Sequence, residues 1–432
     1  MQPKLEINTI QRIHFIGIGG IGMSSLARHF KNEKKVISGS DRSLSDLTKK
    51  LNEEGIQIFA EQSADNISED IELVVYTEAM SKDHVEMVAA AERGIPMMNY
   101  FEALGLAMNP YYLIAIAGTH GKTTTTAMTT DIFEALGKDP TAVIGSLRAK
   151  TESNYRAGKS KYAIVEACEY RRDFLHLRPD VLVITNLELD HVDYYKNVAD
   201  VQQAFKELIL QVNENGVVIT DTRHPMIAPI LKDVSVKVID YTEYLDMSLE
   251  LKQPGIHNRL NAAAALAVAK YEKLPMDEAK EAVKNFAGTW RRFQFKGHCN
   301  GALVYDDYAH HPTAVAVTLQ GAREAYPHKR IIAVFEPHTY SRTKALFKQF
   351  AKSFAAADEL LIVPIYAARE DNISGVTSRE LAVEAIQYAP NTRYVESLEL
   401  AATELKASAN SNDIIIIMGA GTVTKLADEL VK

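Results

Sequence analysis

The stretch YLIAIAGTHGKTTTT, residues 112–126, restricts the fold more than any other part of the chain. An apolar run ends in Gly118 and Gly121, and Lys122, Thr123 and Thr124 open a helix-compatible segment at once. A buried strand that stops in glycines and restarts as a helix leaves bare backbone amides at the helix N-terminus, where phosphates bind. Lys122 can carry charge to the terminal phosphates, and the Thr123 hydroxyl suits Mg²⁺. The loop is shorter than the general pattern, because Ile116 rather than glycine stands five places before Gly121. A threonine-rich turn with one incidental lysine would have no reason to follow a buried strand so directly.

The alternation of apolar strand and helix recurs along the chain. RIHFIGIGG, KKVISGSD, LVVYTEA and GIPMMNY read as strand ends in a first block, which Asn109-Pro110 breaks. A second block runs from YLIAIAGTHGK through YAIVEACEY, DVLVITNLELD and GVVITD to a helix in HNRLNAAAALAVAKYEKL. The third contains ALVYDDY, RIIAVFEP, ELLIVPIY, TRYVE and DIIIIMGAG. At 432 residues the chain exceeds one core, and three α/β domains with mainly parallel sheets are predicted, over residues 1–107, 108–290 and 291–432.

The net charge of −8 argues against a nucleic-acid or anionic-membrane partner. The two cysteines, Cys168 and Cys299, are far apart and lack metal-ligand spacing, which fits a reduced, cytoplasmic setting. The start, MQPKLEINTIQ, has no basic segment leading into an apolar run, so no secretory signal is expected, and no apolar stretch is long enough to span a bilayer.

A second anion-binding pattern lies at residues 13–27, IHFIGIGGIGMSSLA, where Gly17, Gly19 and Gly22 form G-x-G-x-x-G. Alone it points to an NAD-dependent oxidoreductase. A P-loop later in the chain implies two nucleotide-type ligands, which a dehydrogenase does not need. Two further strands end in polar clusters: Glu166 in YAIVEACEY, and Asn186, Glu188, Asp190, His191 and Asp193 in TNLELDHVDYY. Carboxylate and imidazole groups beside a bound triphosphate suit Mg²⁺, although capping or ion pairing at loop ends would use the same residues. Lys206, on the following helix, reads either as a solvated lysine or as a group turned toward the metal.

The ordered segments GIGGIGMSSLA, SGSD, GTHGKTTTT, EACEY, TNLELDH, HNRLNAAAA, RRF, DDYAHHP and PHTYSRT resemble the Mur ligases of peptidoglycan synthesis over essentially the whole chain. The resemblance implies an N-terminal Rossmann-like domain for a UDP-sugar and a central P-loop ATPase. A C-terminal Rossmann-like domain would close over ATP and an amino acid. Within the family the pattern is nearest the members that add L-alanine to UDP-N-acetylmuramate. That implies a lactyl carboxylate activated by ATP as an acyl phosphate and then attacked by the amine. A recycling ligase that uses a tripeptide is the nearest alternative, and a non-catalytic regulatory P-loop protein a remoter one. A monomer or weak homodimer is expected.

Carried onto this sequence, the resemblance gives Gly118, Thr119, His120, Gly121, Lys122, Thr123 and Thr124 to the ATP phosphates, with His120 toward the muramyl end. Thr123, Glu166 and His191 would hold Mg²⁺. Asn258 and Asn261 would meet adenine, although packing accounts for Asn261 almost as well. Arg292 and Asp307 would reach phosphate and ribose. Tyr308 and His310 would lie near the reacting centre, and His338 and Arg342 would contact L-alanine, Arg342 through a bidentate pair with its carboxylate. Thr339 stands where some relatives have arginine, and Cys168 where many have aspartate; Cys168 reads as a small buried group. Gly19, Gly20, Ile21, Gly22, Met23, Ser40 and Asp41 would hold the UDP moiety. Hinges are expected near residues 105–111 and 287–292.

Overall fold

The computed structural model describes residues 7–78, 80–81, 83–368 and 370–432. Residues 1–6, more than half of the stretch MQPKLEINTIQ read above as lacking a secretory signal, lie outside the described residues.

Three sheets form in chain order. In the first, β1 (Arg12–Ile16), β2 (Val36–Ser40), β3 (Gln57–Phe59), β4 (Leu73–Tyr76) and β5 (Met97–Asn99) lie in the order β3-β2-β1-β4-β5, all pairs parallel. This doubly wound order reverses between β1 and β4, the kind of switch point at which such sheets bind ligands. The second sheet holds β6 (Tyr112–Ala117), β7 (Thr141–Arg148), β8 (Ser153–Arg156), β9 (Tyr162–Glu166), β10 (Val181–Ile184), β11 (Val217–Thr220) and β12 (Lys237–Asp240). Its order is β12-β11-β10-β6-β9-β7-β8, parallel except for the β7–β8 pair. The third comprises β13 (Gln294–Cys299), β14 (Ala302–Asp307), β15 (Arg330–Phe335), β16 (Glu359–Ile362), β17 (Thr392–Tyr394) and β18 (Asp413–Met418). Its order is β13-β14-β18-β15-β16-β17, with only β13–β14 antiparallel. The two antiparallel additions depart from the purely strand-helix alternation read in the sequence.

The cores follow from strand periodicity. Along β6, Leu113, Ala115 and Ala117 face one apolar cluster while Ile114 and Ile116 face another. The first of these clusters also contains Phe15, Leu26 and Phe30 of the N-terminal sheet and helix Ile21–Asn32, so one core runs through both domains. Both faces of the third sheet are buried in clusters of their own. Helix Tyr100–Met108 contributes Leu104, Ala107 and Met108 to the shared core and ends just before β6. The connection at 105–111 therefore joins packed units, which disfavours the hinge expected there. At the other junction Arg291 and Phe293 both take left-handed backbone (φ +57° and +47°) on either side of Arg292. Among the described residues no helix is long and apolar enough to cross a membrane.

Candidate active site

The P-loop sits where β6, β9 and β10 end together at the middle of the second sheet. Gly118 (φ +130°) and Gly121 (φ +83°) have no room for a side chain: a Cβ would lie 2.1 Å from Thr185 Oγ1 and 2.2 Å from Asn261 Oδ1, respectively. Asn186, just past β10, fastens the loop in both directions. It accepts from the His120 amide at 2.9 Å and donates to the His120 carbonyl at 3.0 Å. Helix Lys122–Ala135 starts at Gly121 with no side-chain cap and no acidic residue in its first turn. Helix Ile21–Asn32, after the first glycine loop, starts the same way at Gly20. Elsewhere Ser45, Asn99 and Thr377 complete capping boxes. These two helices, like Ile256–Tyr271 after Gly255, thus keep free N-terminal amides of the kind that attract anions. The threonine run persists as helix because Thr126, Thr129 and Thr130 return their hydroxyls to carbonyls one turn back.

Lys122 Nζ donates to the Gly118 and Thr119 carbonyls at 2.5 and 3.2 Å and pairs with Glu169 at 2.8 Å. Burial acts to lower the Lys122 pKa, but the Glu169 charge outweighs it and the ammonium is held above its ordinary range. Glu169 is pushed up by burial and, more strongly, down by Lys122 and His191, so it stays ionised. Glu166, at the end of β9, accepts from Thr123 Oγ1 at 3.1 Å and from the Gly145 amide at 2.9 Å. His191 (φ +51°) stands 3.7 Å from Glu169 and packs its ring on Tyr170. The four groups Lys122, Thr123, Glu166 and His191 are thus gathered at one point. Cys168 adjoins them, but burial lifts its thiol to about 12, which leaves it unreactive.

The third domain reaches into the same place. Arg292 donates to Thr123 Oγ1 at 3.3 Å across the domain junction. Asp307 is buried and accepts from the Phe293 and Ala309 amides at 2.7 and 2.8 Å, so its carboxylate shapes the turn as well as lining the cleft. His310 lies between Tyr308 and His338, ring to ring. Arg342, at the start of helix Tyr340–Ala345, is buried: Nε and one terminal nitrogen donate to Asp190 Oδ1 at 3.1 and 2.9 Å, and the other is 3.2 Å from His338 Nδ1. The guanidinium edge foreseen for the alanine carboxylate is already engaged by Asp190. Desolvation works against ionised Asp190, yet Arg342 holds its pKa well below the ordinary range.

Asn258 and Asn261 are buried on helix Ile256–Tyr271. Asn261 packs on Gly121 and so supports the loop, whereas Asn258 donates to the Pro254 carbonyl at 2.8 Å. At the first glycine loop, Gly19 donates its amide to Asp41 Oδ2 at 2.9 Å. A Cβ on Gly22 would lie 2.6 Å from the Tyr100 ring. Met23 is buried. Ser40 is fully buried with its hydroxyl on Glu86 at 2.5 Å, so of the Ser40–Asp41 pair only Asp41 faces the loop.

A cavity of 640 Å³ joins these elements. Ile21, Lys122, Glu166, His191, Asn258 and Arg292 all line it. Gly118, His338 and Arg342 lie outside its lining, as do Gly19, Gly20, Gly22, Met23, Ser40 and Asp41 of the expected UDP site and Lys206 on helix Val198–Ile209. Sequence reasoning passed over Glu169, His311 and Thr313, which also line it. The signal was present in EACEY and DDYAHHP, but nothing in spacing distinguishes Glu166 from Glu169 or His310 from His311.

Burial also sets the acid response. His29, His257, His311 and His338 are held at about 4 chiefly by desolvation, against an ordinary 6.5. Their folded-state pKa values are depressed, so as the pH falls from 6.5 toward 4 the unfolded chain takes up protons that the native state refuses. Each group can remove up to about 1.4 kcal/mol per pH unit across that window. Thermal denaturation is expected to show a midpoint dropping steeply below pH 6.5, with a shallower fall for His29→Gln. A midpoint unchanged between pH 6.5 and 5 would refute this.

The sequence matches three family profiles in order: Mur ligase family, catalytic domain (residues 12–112), Mur ligase middle domain (116–246) and Mur ligase, glutamate ligase domain (291–421). It is 39% identical to a UDP-N-acetylmuramate–L-alanine ligase of Agathobacter rectalis, with 99% of each chain covered. A protein of the same name from Caldanaerobacter subterraneus is 37% identical over 99% of each chain. Among solved structures, a UDP-N-acetylmuramate-alanine ligase from Thermotoga maritima superposes with a TM-score of 0.82 at 28% identity, covering 97% of this chain and 98% of that one. A murein peptide ligase from Psychrobacter arcticus shares the fold, with a TM-score of 0.73 at 23% identity over 98% and 99% of the two chains. Two uncapped glycine-loop helices facing one cleft, the three-domain order and full-length identity to such relatives agree: the chain belongs to the Mur ligase family.

Proposed function

We propose that the protein joins L-alanine to the lactyl carboxylate of UDP-N-acetylmuramate, with conversion of ATP to ADP and phosphate. The observation that carries this reading is identity of 37–39% over essentially the full length to ligases of that name. It replaces the oxidoreductase reading of the first glycine loop, whose anion site then serves the diphosphate of the sugar nucleotide. A cytoplasmic setting goes with such a substrate, as does a monomer or weak homodimer.

A carboxylate is a poor electrophile, because oxide is not a viable leaving group. Phosphorylation by ATP gives an acyl phosphate, and attack by the alanine amine then expels phosphate and forms the amide. The protein's task is to hold two anionic reactants together and to offset their charge. Backbone amides of the P-loop and of helix Lys122–Ala135 would cradle the ATP phosphates, with Lys122 Nζ on the transferred group. Arg292 would add a second positive charge from the third domain, so that the site is complete only when the domains are together. His310 and Tyr308 would line the side from which the amine arrives.

The donor set fits Mg²⁺. Thr123 Oγ1 and Glu166 Oε1 are 3.1 Å apart, close to the roughly 2.9–3.0 Å between adjacent oxygens of an octahedral Mg²⁺ shell. With His191 they would hold the ion, which would supply charge neutralisation at the phosphate oxygens.

The test is phosphate release in the presence of ATP, Mg²⁺ and UDP-N-acetylmuramate, with L-alanine, glycine, L-serine and a muropeptide-type tripeptide offered separately. L-Alanine is expected to give the highest kcat/KM by at least about tenfold, the discrimination one methyl can provide against glycine. Turnover fastest with tripeptide would replace this reading by the recycling reaction.

A further inference from the structure

His120, Glu188 and His311 bring three metal-ligating atoms within 4.8 Å of one another at the junction of the second and third domains. His120 Nε2 is 3.3 Å from Glu188 Oε2, and His311 Nδ1 is 3.7 Å from the same oxygen. A tetrahedral zinc ion with bonds of about 2.0–2.1 Å separates its ligands by roughly 3.3–3.4 Å, close to the two separations from Glu188, and closing the imidazole pair from within 4.8 Å would complete such a shell. Two imidazoles and one carboxylate favour zinc-like borderline ions over Mg²⁺, which prefers oxygen. This trio shares no residue with Thr123, Glu166 and His191.

Independent features prepare the site. His311 is buried; its Nδ1 accepts only a long 3.4 Å bond from the Thr313 amide, and its other ring nitrogen, Nε2, has no hydrogen-bond partner among the described residues. Burial keeps that imidazole neutral near pH 7, as a ligand must be, with a pKa of about 4. Burial would raise the Glu188 carboxyl, but His120, Thr313 and His311 together hold it at about 2, so it is ionised. Thr313 Oγ1 donates to Glu188 Oε2 at 2.7 Å, the kind of outer partner that orients a ligating carboxylate. The trio lines the open cleft, which leaves a fourth position for water.

We propose that His120, Glu188 and His311 form a zinc-type cation site, distinct from the Mg²⁺ position, that ties the P-loop to helix Pro312–Ala325 and latches the third domain closed. His120 and Glu188 belong to the central domain and His311 caps that helix, so one ion would span the junction. An ion there would oppose opening after each turnover. The binding claim does not depend on which amino acid the enzyme uses.

The test is competition of the full-length protein with a chromophoric chelator for Zn²⁺, in buffer with millimolar Mg²⁺ and no nucleotide. One equivalent is expected to bind, weakened at least about 100-fold by His311→Ala and by Glu188→Gln, more than loss of an outer-shell partner ordinarily costs. His224→Ala, which alters another histidine of the cleft, should leave binding intact. Co²⁺ should give the intense visible absorption of a four-coordinate site in wild type and not in His311→Ala. Thermal melts of both variants show whether they are folded, and Glu188→Gln keeps the shape of the side chain if His311→Ala is not. Absence of a Zn²⁺ equivalent that competes in Mg²⁺, or one unaffected by Glu188→Gln, would overturn the site. Zn²⁺ that binds without reducing the radius of gyration in solution scattering would overturn the latch. Neither failure bears on the amino-acid assay, which separates this inference from the proposed function.

Discussion

Lys122→Ala is expected to lower ATP-dependent phosphate release by ~10³-fold or more while UDP-N-acetylmuramate still binds, as read by calorimetry. The ammonium reaches the Gly118 and Thr119 carbonyls, and among the described residues no other cationic side chain bonds to them. Its removal also strands Glu169, which is only 4% exposed and would keep just the 3.7 Å contact with His191. Stranding one member of a buried pair costs about 3–5 kcal/mol, so the single variant should melt at lower temperature as well. Lys122→Ala combined with Glu169→Gln removes the orphaned charge. It is expected to regain stability and to stay inactive, which separates folding from chemistry. Turnover near wild type in either variant would sink the P-loop assignment.

Asp190→Ala should have the other large effect, on closure. Asp190 follows β10 in the central domain and Arg342 lies in the third, so their two hydrogen bonds cross the junction. Both side chains are under a tenth exposed. Truncating one partner of such a pair costs about 2–5 kcal/mol. Here the cost is expected as domain opening more than as unfolding, because the third domain has cores of its own. Solution scattering should give a larger radius of gyration, and the KM for L-alanine should rise at least about tenfold with little change for the sugar nucleotide. Unchanged scattering and KM would show that the pair does not govern closure.

How much of this was legible in the sequence depended on how local the determinant was. The phosphate loop is set by glycines, a lysine and the strand before them, all contiguous, so YLIAIAGTHGKTTTT specified its own geometry. The buried parallel strands were visible as apolar runs, since both of their faces are covered. The β7–β8 and β13–β14 hairpins were not: QFKGHC is mixed in polarity and SNYR short, and each is held by its partner more than by its own pattern. Glu169 escaped notice because its role comes from Lys122, 47 residues earlier in the chain. Arg342 was found as a residue but not in its partnership, which depends on Asp190 arriving from 152 residues away. Ser40 was placed beside Asp41 by adjacency, yet strand alternation turns it inward to Glu86.

The apolar cluster shared by the first two domains bears on how the chain comes off the ribosome. Phe15, Leu26 and Phe30 share their core with Leu113, Val165 and Leu182, which are made much later. The N-terminal sheet can therefore pair its strands early but must wait with apolar surface uncovered until β10 has emerged. The third domain, whose two clusters draw only on its own residues, has no such delay. Nascent chains halted between the first and second domains would accordingly be the ones most in need of chaperone cover.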